Sequence, residues 1–225
     1  MYRVILLDID NTLLDFHAGA QDALSPAFAE QGLAFRAEYM PIFHEINDAL
    51  WRQIEDGSMT REQLYAVRFH RIFARLGIKG DGDRAESTFR RALAESAVPV
   101  AGAHALLRHL YPRYMLCAAS NSIHAQQVRR LRLAGMLPYF THIFTSEKLG
   151  YAKPAPDFFS AILSRLGGIS PRKTLLVGDS LTADIRGGID CGIPTCWYNP
   201  QGKSAPLDCR PDLTVSRLAD LHEIL

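Results

Sequence analysis

The chain begins with a short apolar segment, residues 4–7, that is followed by two aspartates two positions apart, Asp8 and Asp10. A run of apolar, mostly branched residues predicts a parallel strand that is buried on both faces. In open α/β sheets, ligands bind at the carboxyl ends of such strands. A carboxylate there costs free energy unless it is paired or bound to a metal, so the two acids indicate a functional site. The alternative is an aspartate that only caps a turn.

The segment from 16 to 97 contains no convincing strand and is typical of amphipathic helices. Apolar residues at 65, 69, 72, 73 and 76 share one face of a helix, and Thr60 with Gln63 has the spacing of a capping box. From residue 98 onward, strand candidates at 114–119, 142–145, 174–178, 194–197 and 213–215 alternate with helical stretches. We therefore expect an α/β fold in which residues 1–15 and 98–225 form a doubly wound parallel sheet, and residues 16–97 form an inserted all-helical domain.

Composition limits the possible partners. The 225 residues are 48% hydrophobic and 22% charged, and the formal net charge of +1 gives no reason to expect binding to a nucleic acid polymer. No apolar stretch approaches the length of a membrane span, and no secretory leader is visible. The four cysteines lack metal-binding spacing, so we expect reduced thiols and a cytoplasmic protein.

A second predicted strand, 174–178, also ends in acids, with Asp179 next and Asp184 five residues later. Asp8 and Asp179 at neighbouring strand ends would concentrate negative charge, which Mg²⁺ relieves while it keeps positions open for water and a phosphate oxygen. Two unrelated capping acids are the alternative.

Two further segments could bind an anion. Ser120 and Asn121 follow the strand predicted at 114–119, where a hydroxyl and backbone N–H groups next to a helix start can hold phosphate oxygens. An ordinary helix cap is the alternative. Lys153 is one of only five lysines and stands before Pro154, in a turn that could direct its ammonium to phosphate and acids. A solvated surface lysine is the alternative here.

These segments, taken in order, resemble the four motifs of the haloacid dehalogenase-like hydrolase superfamily. The motifs are residues 8–12, Ser120, Lys153 with Pro154, and residues 178–180 with Asp184. The resemblance covers essentially the whole chain and implies a core with the first strand central and a mobile helical cap over the acids.

The resemblance also implies a role for each residue. Asp8 would be the nucleophile, and Asp10 would exchange protons with the leaving group and water while its backbone carbonyl binds Mg²⁺. Asp179 would bind the metal, and Ser120, Asn121 and Lys153 would bind phosphate. Asp184 would orient Lys153 or a metal-bound water. Thr12 would support the metal-binding and catalytic residues without contacting the substrate itself.

The second aspartate also separates activities within the superfamily. Asp10 favours a phosphatase over a dehalogenase, because displacement of a halide needs no proton for the leaving group. Lys79 is the only lysine of the predicted cap and lies beside a probable turn, which argues against a phosphonatase. The protein would be a monomer or a homodimer acting on a small phosphorylated metabolite.

Residues 178–188 and 191–200, with segments of the cap, resemble pyrimidine 5′-nucleotidases. We predict that Asn47, Trp51 and Arg68 form a surface that stacks on and hydrogen-bonds the base of a nucleoside monophosphate. Trp51 packed inside the cap is the alternative. A sugar-phosphate or other small-metabolite phosphatase remains the second function, followed by a 2-haloacid dehalogenase and a non-catalytic binding protein.

Overall fold

A computed structural model describes all residues from 1 to 225 and divides them into two compact units. The first unit comprises Met1–Phe16 and Ala97–Leu225, and the second is the inserted segment His17–Ser96. No helix is long and apolar enough to cross a membrane.

The first unit is built on one six-stranded sheet in which every pairing is parallel. The strand order is β3-β2-β1-β4-β5-β6, so the first strand lies inside the sheet, between β2 and β4. All four side chains of β1 are buried, as expected for a parallel strand that is covered on both faces. The strands are β1 (Val4–Leu7), β2 (Met115–Ser120), β3 (His142–Thr145), β4 (Thr174–Gly178), β5 (Thr195–Tyr198) and β6 (Leu213–Val215).

Two hydrophobic clusters cover the opposite faces of this sheet. Ile5 and Leu7 of β1 belong to one cluster, whereas Val4 and Leu6 belong to the other, because successive side chains of a strand point to opposite faces. The helices of this unit are α5 (Ala103–Leu110), α6 (His124–Leu133), α7 (Ser146–Leu149), α8 (Pro156–Arg165) and α9 (Gly187–Asp190), numbered after the four helices of the insertion. The expected doubly wound parallel sheet is confirmed.

The second unit is entirely helical around an aromatic core. Its helices, the first of which begins one residue before the unit, are α1 (Phe16–Ala29), α2 (Met40–Glu55), α3 (Arg61–Leu76) and α4 (Gly82–Leu93). Five buried phenylalanines from all four helices contact one another in pairs, with ring centroids 5.3–5.8 Å apart: Phe28, Phe43, Phe69, Phe73 and Phe89. The predicted capping box of α3 is confirmed, because the Thr60 hydroxyl accepts from the Gln63 N–H and the Gln63 side chain accepts from the Thr60 N–H.

The helical stretch expected after the strand at 174–178 differs from a regular α-helix. Leu181–Arg186 forms one wide π-helical turn, and α9 continues it for a single further turn. Such turns are rare and are found mostly at functional sites. This one contains Asp184, whose place in the candidate site is described next.

Candidate active site

Three adjacent parallel strands bring the predicted acids and the predicted phosphate-binding residues to one edge of the sheet. β1 lies between β2 and β4, so Asp8 after β1 has Ser120, the last residue of β2, on one side and Asp179 after β4 on the other. The backbone N–H of Asp8 donates to the carbonyl of Val177 over 2.9 Å, which extends the strand pairing to the first acid. The register of the sheet therefore fixes these three positions relative to one another.

The ammonium of Lys153 lies at the centre of this edge. Its Nζ donates to Asp8 Oδ1 and Asp184 Oδ1 over 2.7 Å each, and to the backbone carbonyl of Ala119 over 2.8 Å. These three acceptors use the full donor capacity of an ammonium. Lys153 is only 2% exposed, so the alternative of a solvated surface lysine is wrong.

Asn121 fixes the backbone that carries Lys153. Its side-chain amide donates to the Lys153 carbonyl over 2.8 Å and accepts from the Lys153 N–H over 2.7 Å. This reciprocal pair holds two loops together at the sheet edge and occupies the amide. A direct contact between the Asn121 side chain and phosphate stays a prediction, whereas its support of Lys153 is visible.

Asp184 is held behind the lysine by a close approach to Gly178. A Cβ at position 178 would lie 2.7 Å from the Cβ of Asp184 and closer still to its carboxyl group. Only glycine at position 178 leaves room for the side chain of Asp184, which is 1% exposed. Asp184 Oδ2 also accepts from the Ser180 N–H over 3.1 Å, so its two oxygens bind different partners.

Asp179 is oriented through both its side chain and its backbone. Thr12 Oγ1 donates to Asp179 Oδ1 over 3.3 Å, and the indole N–H of Trp197 donates to the Asp179 carbonyl over 2.9 Å. Trp197 is 3% exposed and packs in the core, so its indole can fix this loop. The predicted supporting position of Thr12 is therefore next to the Asp179 carboxylate.

The carboxylates of Asp8, Asp179 and Asp184 form a concentrated acidic cluster. One oxygen from each lies within 4.8 Å of the others. Burial raises the pKa of Asp8 to about 7, Lys153 acts against this shift, and the neighbouring carboxylates add to it. Burial and the charges of Asp8 and Asp184 likewise raise the pKa of Asp179. Burial opposes the charged form of Lys153, but the carboxylates of Asp184 and Asp8 outweigh burial and raise its pKa.

The charges of this cluster fit a divalent cation. Three carboxylates and the Lys153 ammonium carry a net charge of −2 when all are ionised. Hard oxygen donors and an excess of two negative charges match Mg²⁺, which prefers carboxylates and water. The donor set therefore fits the magnesium that the sequence predicts.

Asp10 is directed to a different cation. Gln127 Nε2 donates to its Oδ2 over 2.6 Å, and the guanidinium of Arg130 forms an ion pair with its Oδ1. Ser120 is reached by the same Gln127 nitrogen over 2.9 Å. Sequence reasoning missed Gln127 and Arg130, because polar residues on a helix are usually solvent-exposed.

The turn after Asp10 depends on an asparagine. Asn11 has a φ of 61°, in the left-handed region that asparagine tolerates better than most residues. Its side-chain oxygen accepts from the Phe16 N–H over 3.1 Å, which ties the first motif to the start of α1. The residues Ser120, Asn121 and Ser122 do not cap a helix, because α6 begins at His124 after Ile123.

The candidate residues of the helical unit have different surroundings. Arg68 is 2% exposed and donates to both oxygens of Glu86, over 2.6 and 3.0 Å, and to Asn47 Oδ1 over 2.9 Å. Asn47 is equally buried, so these two side chains stabilise the packing of α2, α3 and α4. Trp51 of α2 is partly exposed, so the alternative in which it packs inside the cap accounts for only part of its side-chain surface. A contact of all three with a base stays a prediction.

A family model for haloacid dehalogenase-like hydrolases matches residues 2–192 of this chain. The chain therefore belongs to the haloacid dehalogenase-like hydrolase family.

Particular relatives extend over the full length. The pyrimidine 5′-nucleotidase PynA of Streptococcus pneumoniae is 39% identical over 225 residues, covering 100% of this chain and 95% of PynA. The pyrimidine 5′-nucleotidase YjjG of Escherichia coli is 32% identical, with 98% and 96% covered. The solved structure of the HAD-hydrolase YfnB from Bacillus subtilis, described as bound to magnesium, has a TM-score of 0.94 and 36% identity, with 100% of this chain and 98% of that chain covered.

Proposed function

We propose that this protein is a Mg²⁺-dependent phosphomonoester hydrolase that forms an aspartyl phosphate on Asp8, and that it acts as a 5′-nucleotidase on pyrimidine nucleoside monophosphates. The observation that carries the catalytic part is the buried contact of Lys153 with both Asp8 and Asp184, beside Asp179. This arrangement combines a carboxylate nucleophile, a phosphate-binding cation and a set of metal ligands at one strand edge.

Asp8 begins the reaction by attack of a carboxylate oxygen on phosphorus. The new bond joins Asp8 to the phosphoryl group while the ester bond to the leaving oxygen breaks. Lys153 and the Ser120 hydroxyl bind phosphoryl oxygens and stabilise the charge that develops there. Lys153 already contacts Asp8, so the cation lies where the attacking oxygen and the phosphate must meet.

Asp10 serves both halves of the reaction as the proton carrier. It donates a proton to the leaving alkoxide and then removes one from the water that attacks the phosphoryl group. That second attack breaks the bond between Asp8 and phosphorus and releases inorganic phosphate. Asp10 is suited to meet substrate and water because its side chain, at 29% exposed, is the more open of the two acids.

Asp8, Asp179 and the backbone carbonyl of Asp10 would hold Mg²⁺. Bound there, the ion supplies neutralisation of phosphate charge and keeps Asp8 ionised for attack. Asp184 would remain with Lys153, because its two oxygens already accept from the ammonium and from the Ser180 N–H.

The choice of nucleotide rests on the relatives and on the helical unit. Two relatives that cover nearly the whole chain are named pyrimidine 5′-nucleotidases. Trp51 is partly exposed, which leaves part of its aromatic surface open for base stacking, and the buried pair of Arg68 and Asn47 holds the helix that carries it. We therefore assign Trp51 the direct contact with the base and Arg68 and Asn47 the shaping of that surface.

A phosphate-release screen tests the proposal. Purified protein is incubated with pyrimidine and purine monophosphates, sugar phosphates and 2-haloacids, with Mg²⁺ or with EDTA. We expect phosphate release from pyrimidine monophosphates above all others, and none in EDTA. Preferred turnover of sugar phosphates would replace the nucleotide assignment, and halide release from 2-haloacids would overturn the phosphatase assignment.

Two variants separate catalysis from base recognition. Asp8→Asn should abolish turnover of every substrate, whereas the control Asp22→Asn, at an exposed site on α1, should leave it unchanged. Trp51→Ala should lower kcat/KM for nucleotides but not for a small phosphomonoester without a base. Unchanged kcat/KM for nucleotides in Trp51→Ala would refute the stacking role.

A further inference from the structure

Helix α6 directs two polar side chains into the core of the first unit. Gln127 and Arg130 lie three residues apart and share one helix face, and both are fully buried. A buried guanidinium is costly unless a carboxylate or other acceptors surround it. Its carboxylate partner is Asp10.

Hydrogen bonds connect these two side chains to each other and to Asp10. Arg130 Nη1 donates to Asp10 Oδ1 and also to Gln127 Oε1, the latter over 3.2 Å. Because a guanidinium only donates, the oxygen of the Gln127 amide must face it, and the amide nitrogen then faces the other way. That nitrogen donates to Asp10 Oδ2 over 2.6 Å, so both carboxylate oxygens are held and its rotation is fixed.

The same amide nitrogen determines the orientation of the Ser120 hydroxyl. Ser120 Oγ accepts from Gln127 Nε2 over 2.9 Å and from the Ser122 N–H over 3.2 Å. A hydroxyl oxygen has two acceptor positions, and both are used. The hydroxyl hydrogen of Ser120 is therefore left to donate, which is what a phosphate oxygen requires.

We infer that Gln127 and Arg130 are positioning residues: Arg130 fixes Asp10 for protonation of the leaving group, and Gln127 links Asp10 to the phosphate-binding hydroxyl of Ser120. The inference rests on the proposed phosphatase function. Both residues are fully buried and contact Asp10 or Ser120, so their effects would reach the reaction through these two residues.

Leaving-group dependence distinguishes this role from general support of the fold. The sugar alkoxide of uridine monophosphate needs a proton as it leaves, whereas p-nitrophenolate leaves without one. Arg130→Met should lower kcat/KM for uridine monophosphate about 100-fold, the size of a lost general acid, and for p-nitrophenyl phosphate less than about 10-fold. Arg130→Lys retains a cation beside Asp10 and should recover part of the loss.

Gln127→Leu provides a second variant that does not depend on the folding of Arg130→Met. It removes the contact with Ser120, so the inhibition constant of inorganic phosphate should rise about 10-fold, the effect of one lost hydrogen bond. Arg130→Met keeps the Gln127 amide and should raise that inhibition constant less than Gln127→Leu does. Arg132→Met, an exposed arginine on the same helix, is the matched control and should change neither quantity.

The outcomes separate this inference from the proposed function. A wild-type protein that turns over neither phosphate ester refutes the proposed function and the inference with it. An active wild type refutes only the positioning roles if Arg130→Met loses both substrates equally or loses nothing, or if Gln127→Leu leaves the inhibition constant of phosphate unchanged. Selective loss of the alkyl phosphate in Arg130→Met, with recovery in Arg130→Lys, supports them.

Discussion

Gly178→Ala should disrupt the site without any change of a charged residue. The added methyl group would lie 2.7 Å from the Cβ of Asp184 and closer to its carboxyl group, so this side chain must move by about 1 Å to reach ordinary contact distance. That movement would break the 2.7 Å contact of Asp184 with Lys153. The added methyl group would thus disturb Lys153, at the centre of the site, through Asp184.

The cost follows from these two effects. Forcing a methyl into a packed site costs about 1–3 kcal/mol, and loss of a buried charge-assisted hydrogen bond costs about 1.5–3 kcal/mol. The sum of about 2.5–6 kcal/mol lowers the Tm of a protein of this size by at least about 5 °C. A shift of about 1 Å in a group that orients Lys153 should also lower kcat/KM about 100-fold.

Scanning calorimetry and steady-state kinetics with Mg²⁺ measure these effects. Gly168→Ala is the control, because that glycine has a φ of +70° and nothing within 4 Å of an added Cβ. It should cost about 1–2 kcal/mol of backbone strain and leave kcat/KM unchanged. In an Asp184→Gly background the added methyl meets no carboxyl group, so its further cost should largely vanish. If Gly178→Ala matched the control in both Tm and kcat/KM, the close packing of Gly178 against Asp184 would be refuted.

Three further predictions concern metal binding and the helical unit. Burial raises the pKa of Asp8 from 3.8 to about 7. The folded protein without metal is therefore stabilised by a protonated Asp8 at low pH, and this stabilisation is lost as the pH rises through about 7. The gain in Tm on addition of Mg²⁺ should therefore be larger at pH 8 than at pH 5, and equal gains at both values would contradict the raised pKa. Arg68→Met leaves Glu86 buried without its cation and should destabilise the helical unit by about 3–5 kcal/mol in urea unfolding, whereas loss of under 1 kcal/mol would contradict the pairing. Thr60→Ala removes half of the capping box and should cost about 1 kcal/mol by the same measurement, with no effect on kcat/KM.

The sheet and the acids could be predicted because they depend on local patterns. An apolar run that ends in an acid marks both the strand and its carboxyl end, and the parallel pairing then brings Asp8 and Asp179 together. The capping box at Thr60 is likewise a matter of spacing within four residues. The predicted fold class and strand positions needed no knowledge of tertiary contacts.

The partners of the acids could not be read in the same way. Arg130 and Gln127 are distant from Asp10 in sequence, and polar residues on a helix are usually solvent-exposed. Their burial follows only from the approach of α6 to the edge of the sheet. The buried pairing of Arg68 with Glu86 was missed for the same reason, since an arginine and a glutamate on two helices give no signal of which neighbours they meet.

The two acids of the first motif have different cationic partners. Asp8 contacts Lys153, whereas Asp10 is paired with Arg130, so each has its own cation. The ion pair of Asp10 and Arg130 has no net charge, so it does not attract a metal cation. The excess of negative charge is confined to the cluster of Asp8, Asp179 and Asp184, of which Asp8 and Asp184 contact Lys153. A divalent cation is therefore attracted to the side-chain oxygens of the nucleophile rather than to those of the proton carrier.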